Sequence, residues 1–268
     1  MKDQFPGKLN INILGNPNSH QTLMFGHGFG TDQRSFKDVV PFFEKDYRII
    51  LYDNAGAGNA DISTFNASRY NTLNGYVNDL LEICKFLQLK DIIYVGHSVN
   101  GMVGLLASQK MPAYFSKLIL LGASPRYLND ASQMYNGGFE QSDLDQLFEA
   151  MNNNYFAWAS GFSRMVMDNH DRPHLAEHFA GTLKAIRPDI ALSVVKAIFQ
   201  SDHRNDLSKS TIPTLIIQTS SDVAVPESVG MYMHQHIPKS SLVKIETKGH
   251  FPQISGPAEI ATVIKSFI

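Results

Sequence analysis

The feature that most limits what this chain can fold into is a repeated alternation of short, nearly continuous apolar runs with helical patterns. Apolar runs occur at Thr22-Leu23-Met24-Phe25, Arg48-Ile49-Ile50-Leu51-Tyr52, Ile92-Ile93-Tyr94-Val95 and Lys117 to Leu121, and again at Pro213 to Gln218 and Leu242 to Glu246. Between them lie amphipathic stretches such as Tyr70 to Leu87 and Val99 to Met111. Strands without polar alternation are buried on both faces, so the pattern predicts an α/β chain with a mostly parallel sheet and helices on both sides.

The alternation stops after Gly122. From Arg126 to Leu207 only helical periodicity remains. Leu144, Leu147, Phe148 and Met151 share one face after the cap candidate Ser142. Tyr155, Trp158, Ala159, Phe162, Met165 and Val166 make a second stripe, and Leu175, Phe179, Leu183 and Ile186 a third. After Pro188, a first-turn proline, Ile190, Val194, Ala197 and Ile198 make the fourth. The expected organisation is therefore a core from residues 1–125 and 208–268, with 126–207 inserted as a helical cap.

Composition narrows the function classes. With 268 residues, 43% hydrophobic and 18% charged, one large domain with an insertion is expected rather than a string of modules. The 23 Lys+Arg against 25 Asp+Glu leave a net charge of −2, and no basic run suits a phosphate backbone, so nucleic acid is not an expected partner. Met1 to Lys8 has no leader-like apolar stretch, and no run approaches the ~20 apolar residues that span a bilayer; the expectation is a cytoplasmic protein without membrane contact. The single cysteine, Cys84, has no partner for an internal disulfide and reads as a small core residue.

Gly96-His97-Ser98-Val99-Asn100-Gly101 follows one apolar run directly and opens a helical one. A strand that reverses abruptly into a helix lifts the turn residue above the sheet in a strained conformation, with helix N–H groups aimed at its side chain. Ser98 occupies that place. Gly96 stands where a side chain would collide with the incoming helix. The match to Gly-x-Ser-x-Gly is imperfect, because Asn100 holds the second glycine position and Gly101 comes one residue late.

A serine hydroxyl needs a base, a group orienting that base, and donors for the oxyanion. Asp222 follows the run ending at Gln218, and His250 follows the run ending at Glu246. The order Ser98, Asp222, His250 is that of α/β-hydrolases, not of chymotrypsin-like or subtilisin-like enzymes. Upstream, Gly26-His27-Gly28-Phe29-Gly30 leaves a strand candidate, and in this reading the N–H of Phe29 pairs with that of Val99 to hold the oxyanion.

The helical insert is aromatic. Tyr127, Phe139, Trp158, Phe162, Phe179 and Phe199, with Ile198 beside them and Phe29 from the core, are the candidate walls of an apolar pocket above Ser98. Such a pocket favours an uncharged substrate. His170, His174 and His178, or His234 and His236, have no acidic or cysteine cluster converging on them, so no metal is expected. Gly56-Ala57-Gly58 opens no clean helix and reads as a tight loop, not a nucleotide site. His27 and His97 read as packing and turn residues.

Across nearly the whole chain the sequence resembles one branch of the α/β-hydrolases: the bacterial stress-signalling regulator RsbQ and the plant karrikin and strigolactone receptor hydrolases. The likeness is carried by His27 to Gln33, Leu51-Tyr52-Asp53, Gly96-His97-Ser98-Val99, Ala123 to Asp130, Gly137-Gly138-Phe139-Glu140 and Phe199 to Arg204. Tyr232-Met233-His234-Gln235-His236 looks closest to the bacterial member. The resemblance implies a four-helix V-shaped cap, a small aromatic pocket, a Ser98, His250, Asp222 triad, and cofactor-free hydrolysis of a small apolar ester or butenolide-like lactone. It also implies a signalling role, either beside hydrolysis or through a protein partner such as a phosphatase.

Overall fold

The computed structural model describes residues 6–268, so the first part of the N-terminal stretch read above for a leader lies outside it. Its sheet contains β1 (Asn12–Gly15), β2 (Thr22–Gly26), β3 (Arg48–Leu51), β4 (Ile92–His97), β5 (Phe115–Leu121), β6 (Thr214–Gln218) and β7 (Ser240–Lys244). The spatial order is β1-β3-β2-β4-β5-β6-β7, with β1 antiparallel to β3 and every other pairing parallel. The expected mostly parallel sheet is therefore present.

Successive strand residues point to opposite faces, and the two faces bury different cores. Met24, Ile50, Tyr94, Leu118, Leu120 and Ile216 face one cluster, which α1 (Asn74–Phe86) and α2 (Val99–Lys110) cover. Leu23, Phe25, Ile49, Val95, Ile119 and Ile217 face the other. There the cover is Phe36, Val39 and Phe43 from short 3₁₀ turns, with Ile260 and Ile264 of the C-terminal helix. Cys84 lies fully buried in the first cluster, where desolvation pushes its thiol up to about 12.

Two strands differ from the sequence pattern. The pattern does not mark β1, because all four of its residues are exposed and edge pairing needs only backbone groups. β7 begins at Ser240 and ends at Lys244, not at Leu242 and Glu246, since Ser240 and Ser241 pair with Thr214 and Leu215 through the backbone alone.

Between β5 and β6 lie α3 (Gln141–Met167), α4 (Pro173–Ala185) and α5 (Pro188–Phe199). α3 is two helical segments joined at Asn154, whose φ of −157° and ψ of 85° break the helix and whose side chain accepts from Ala157 N–H at 3.0 Å. The four expected stripes thus fall on four helical segments. The start of α3 is fixed by Glu140, not Ser142: the Asp143 carboxylate accepts the Glu140 N–H at 2.8 Å. Pro188 occupies the first turn of α5 as expected. Ala159, Val166, Phe179 and Leu183 close a third apolar cluster around Phe251, which joins the insert to the loop after β7. The remaining helices are α6 (Glu227–His236), α7 (Pro252–Ser255) and α8 (Pro257–Phe267).

Candidate active site

The strand β4 ends at His97 and α2 begins at Val99, leaving Ser98 alone to make the reversal. Its φ is 53° and ψ −120°, a backbone state that costs a non-glycine residue about 1–3 kcal/mol. The surroundings impose it: Ser98 N–H donates to Leu121 O at 2.8 Å, and α2 is buried along its whole inner length. A Cβ at Gly96 would strike the carbonyl of Asn100 and lie 2.6 Å from Gly101 N, so helix and strand can meet only with glycine there. Asn100 has room because its side chain leaves on the other side, toward Tyr52 and Tyr94.

Parallel strand order brings the loops after β4, β6 and β7 to one edge of the sheet, and the three polar residues meet there. Ser98 Oγ lies 2.9 Å from His250 Nε2, and His250 Nδ1 lies 2.7 Å from Asp222 Oδ2. The other Asp222 oxygen accepts the N–H groups of Ala224 at 2.8 Å and Val225 at 3.1 Å, which fixes the carboxylate's orientation. With a carboxylate accepting, Nδ1 carries the imidazole proton and Nε2 is free to accept the serine proton. All three side chains are largely withdrawn from solvent.

The backbone around His250 is also held. Gly249 N–H donates to Ser221 O at 2.7 Å, and His97 Nε2–H donates to His250 O at 2.7 Å. Burial, and after it the proximity of His250, holds His97 well below the ordinary histidine value, so its ring stays neutral. The local sequence marks His97 only as a packing or turn residue. Its role as a strut of His250 depends on a contact across 153 positions, which no local pattern signals.

Gly28 lies close under the serine: a Cβ there would sit 3.2 Å from Ser98 Cβ and strike the His97 ring. This brings the Phe29 amide beside the elbow. Neither Phe29 N–H nor Val99 N–H is bonded to another group among the described residues. Two free amides next to a hydroxyl, imidazole and carboxylate in line can accommodate negative charge on a carbonyl oxygen during acyl transfer.

A narrow pocket opens over Ser98, lined by Phe29, Tyr127, Phe162, Ile198, Phe199, Ala224, His250 and Phe251. Burial raises the Tyr127 phenol, which stays protonated. Phe139, Trp158 and Phe179, named with the pocket in the sequence reading, stand one layer back. Phe139 packs edge-on against Phe199 at 5.3 Å, Trp158 stacks on Phe162 at 4.9 Å, and Phe179 rests on Phe251 at 4.3 Å. Trp158 and Phe179 lie on the helical stripes of α3 and α4, and Phe139 lies in the loop just before α3, bridged to Leu128. Ala224 and Phe251 were missed; each lies within two residues of a polar partner, and that adjacency was the available signal.

Among the described residues no group of three or more His, Cys, Asp or Glu is arranged to hold a metal ion, and no helix is long and apolar enough to cross a membrane. Residues 21–257 match the alpha/beta hydrolase fold family. The chain is 46% identical to the karrikin insensitive 2 receptor CA of Petunia hybrida over 95% of this chain and 93% of that one. It is 42% identical to a strigolactone esterase of Arabidopsis thaliana over 96% and 95%. Among solved structures, a hydrolase from Oleispira antarctica superposes with a TM-score of 0.93 at 33% identity, covering 97% of this chain and 94% of that one. With its mostly parallel sheet, its serine elbow and these relatives, the chain belongs to the α/β-hydrolases, in the family of the strigolactone and karrikin receptor hydrolases.

Proposed function

We propose that this chain is a serine hydrolase of small apolar esters or lactones of the butenolide kind, with its turnover tied to signalling. The observation that carries the reading is the line Ser98, His250, Asp222 at 2.9 and 2.7 Å beneath a cavity whose walls are aromatic and aliphatic. In this mechanism His250 Nε2 takes the Ser98 proton as Oγ attacks the substrate carbonyl. Asp222 holds the tautomer and stabilises the imidazolium. The Phe29 and Val99 amides receive the oxyanion. The imidazolium then protonates the leaving alkoxide, and water, deprotonated by the same histidine, releases the acyl group. No step calls for a cofactor.

Small size and low charge follow from the walls. Apart from His250, no ionisable acid or base lines the cavity except the high-pKa phenol of Tyr127. Turnover of nitrophenyl acetate, butyrate and octanoate and of simple butenolides, compared between wild type and Ser98→Ala, tests the reading. The expected result is short esters and lactones hydrolysed by wild type only.

The signalling part rests on relatives named as receptors. Residues 126–207 act in this reading as one cap over the core of 1–125 and 208–268. What supports a hinge is that both connections run side by side: Arg126 and Asp202 form a bridge and an ion pair at 2.6 Å. A ligand held by core and cap can favour one cap position by its differential affinity. The partner reading that state is proposed to be a phosphatase-type protein, on the sequence likeness to the bacterial regulator RsbQ. Pull-downs with and without a butenolide, in wild type and Ser98→Ala, test it; no ligand-dependent partner in either leaves an esterase alone.

A further inference from the structure

Asn100, the residue that breaks the glycine motif, is 1% exposed and fully engaged. Its Nδ2 donates to His27 O at 2.5 Å and lies 3.1 Å from Asn54 Oδ1. A carbonyl can only accept, so the amide orientation is fixed with its NH₂ group toward His27. Its Oδ1 then faces the hydroxyls of Tyr52 at 3.2 Å and Tyr94 at 3.3 Å, which are 2.8 Å from each other.

His27 is the last residue before the turn that carries Phe29. Its carbonyl takes a second N–H from Asn54 Nδ2 at 3.2 Å, and its ring Nε2 accepts the Asn54 backbone N–H at 2.9 Å. That leaves the ring proton on Nδ1, which donates to Gly28 O at 2.9 Å; Thr31 Oγ1 donates to the same oxygen at 2.9 Å. The turn is thus tied at its root to a side chain that leaves α2 one residue beyond Val99.

We propose that Asn100 is a positioning residue that fixes the Phe29 amide relative to the Val99 amide, setting the separation of the two oxyanion donors. Val99 and Asn100 share the rigid first turn of α2, while Phe29 sits on a loop. The Asn100 to His27 bond is a side-chain tie from that turn to the root of the loop, added to the strand pairing of Gly26 with Gly96. A glycine or serine at position 100 ends short of the His27 carbonyl and leaves the loop to its other contacts. The inference rests on the proposed hydrolysis and adds to it a demand on one side chain.

Such a residue acts where charge develops, so its loss lowers kcat and spares KM. Asn100→Leu keeps the shape and removes both polar ends, Asn100→Ser shortens the side chain, and Asn54→Ala removes the second donor from a half-buried loop without disturbing the core. With nitrophenyl acetate, the two Asn100 variants are expected to lose about 10–100-fold in kcat and Asn54→Ala about 3–10-fold, with KM within about twofold, less than the loss on deleting a donor outright. A short alkylboronic acid, which adds to Ser98 as a tetrahedral anion, should lose affinity by the same factor as kcat in each variant. Unchanged kcat and boronate affinity in folded variants overturns the proposal, and so does a fall in melting temperature with boronate affinity intact. If Asn100→Leu does not fold, Asn100→Ser and Asn54→Ala are read by the same criteria. Wild type that neither turns over esters nor binds boronate defeats the hydrolase reading itself, a result distinct from these.

Discussion

The carbonyl oxygen of Val166, in the last turn of α3, accepts the backbone N–H of His250 at 2.8 Å. The helical insert therefore touches the proposed base through its main chain, not only through pocket side chains. Two further bonds reinforce this. Ser221 Oγ donates to Asp168 Oδ2 at 3.0 Å, beside Asp222, and Asn169 Nδ2 donates to Lys248 O at 3.3 Å. A displacement of the end of α3 must move the loops that carry both the imidazole and its carboxylate.

That relationship predicts the behaviour of Ser221→Ala. Loss of one side-chain hydrogen bond should cost about 1 kcal/mol of stability. Amide exchange should quicken at Gly249 and His250 more than in the central strands. Hydrogen exchange with peptide-level resolution measures this, and uniform exchange across the molecule would show that the helix end and the two loops are not coupled.

Asp222→Asn is expected to keep the fold and lower kcat by roughly 10⁴, because an amide in that place no longer enforces the tautomer with Nδ1 protonated. Single-turnover kinetics should place the loss in acylation. A variant with near wild-type kcat would mean that the contacts of His250 with Ser98 and with the backbone orient the ring unaided.

The cavity and the layer behind it should respond differently to truncation. Phe162→Ala opens the cavity wall and should shift preference toward longer acyl chains while retaining activity. Trp158→Ala removes the ring stacked between Tyr155 and Phe162 and should mainly destabilise, by as much as about 3–5 kcal/mol. Chain-length profiles and thermal melts of the two variants distinguish these effects; identical responses would contradict the two-layer arrangement.

His97 predicts a pH dependence. Its folded value is held well below the ordinary 6.5 by burial and by the neighbouring His250, so the unfolded chain binds the extra proton first. The His97 contribution is fully present above about pH 6.5 and is lost as pH falls below it, toward the folded value. His27 is the other titratable group acting on it. Thermal melts of wild type should show this acid loss, and His97→Gln, lower in stability overall, should show a flatter profile between pH 7 and 5. Parallel profiles would remove His97 as the cause.

How much was legible in the sequence depended on whether the signal was local. The central strands, the elbow at Ser98 and the order Ser98, Asp222, His250 could be read directly, because apolar runs and a strained turn are written in adjacent residues. The edge strand β1 and the first residues of β7 could not, since they are held by backbone pairing with little burial. Among the aromatics, sequence periodicity located the stripes but could not rank depth, so Phe162 and Trp158 looked alike. Asn100 appeared only as a departure from a motif. Its partners, His27, Tyr52, Asn54 and Tyr94, come from three other segments that only the folded sheet brings together.

The central claim is that Ser98 is the nucleophile, and covalent labelling tests it most directly. Diethyl nitrophenyl phosphate reacts with an activated serine by displacing nitrophenolate and leaving a diethylphosphoryl group on oxygen. Intact-mass spectrometry followed by peptide mapping should find one such group per chain, on the peptide containing Ser98, and none in Ser98→Ala. An unlabelled wild type, or a label that persists in Ser98→Ala, would contradict the account.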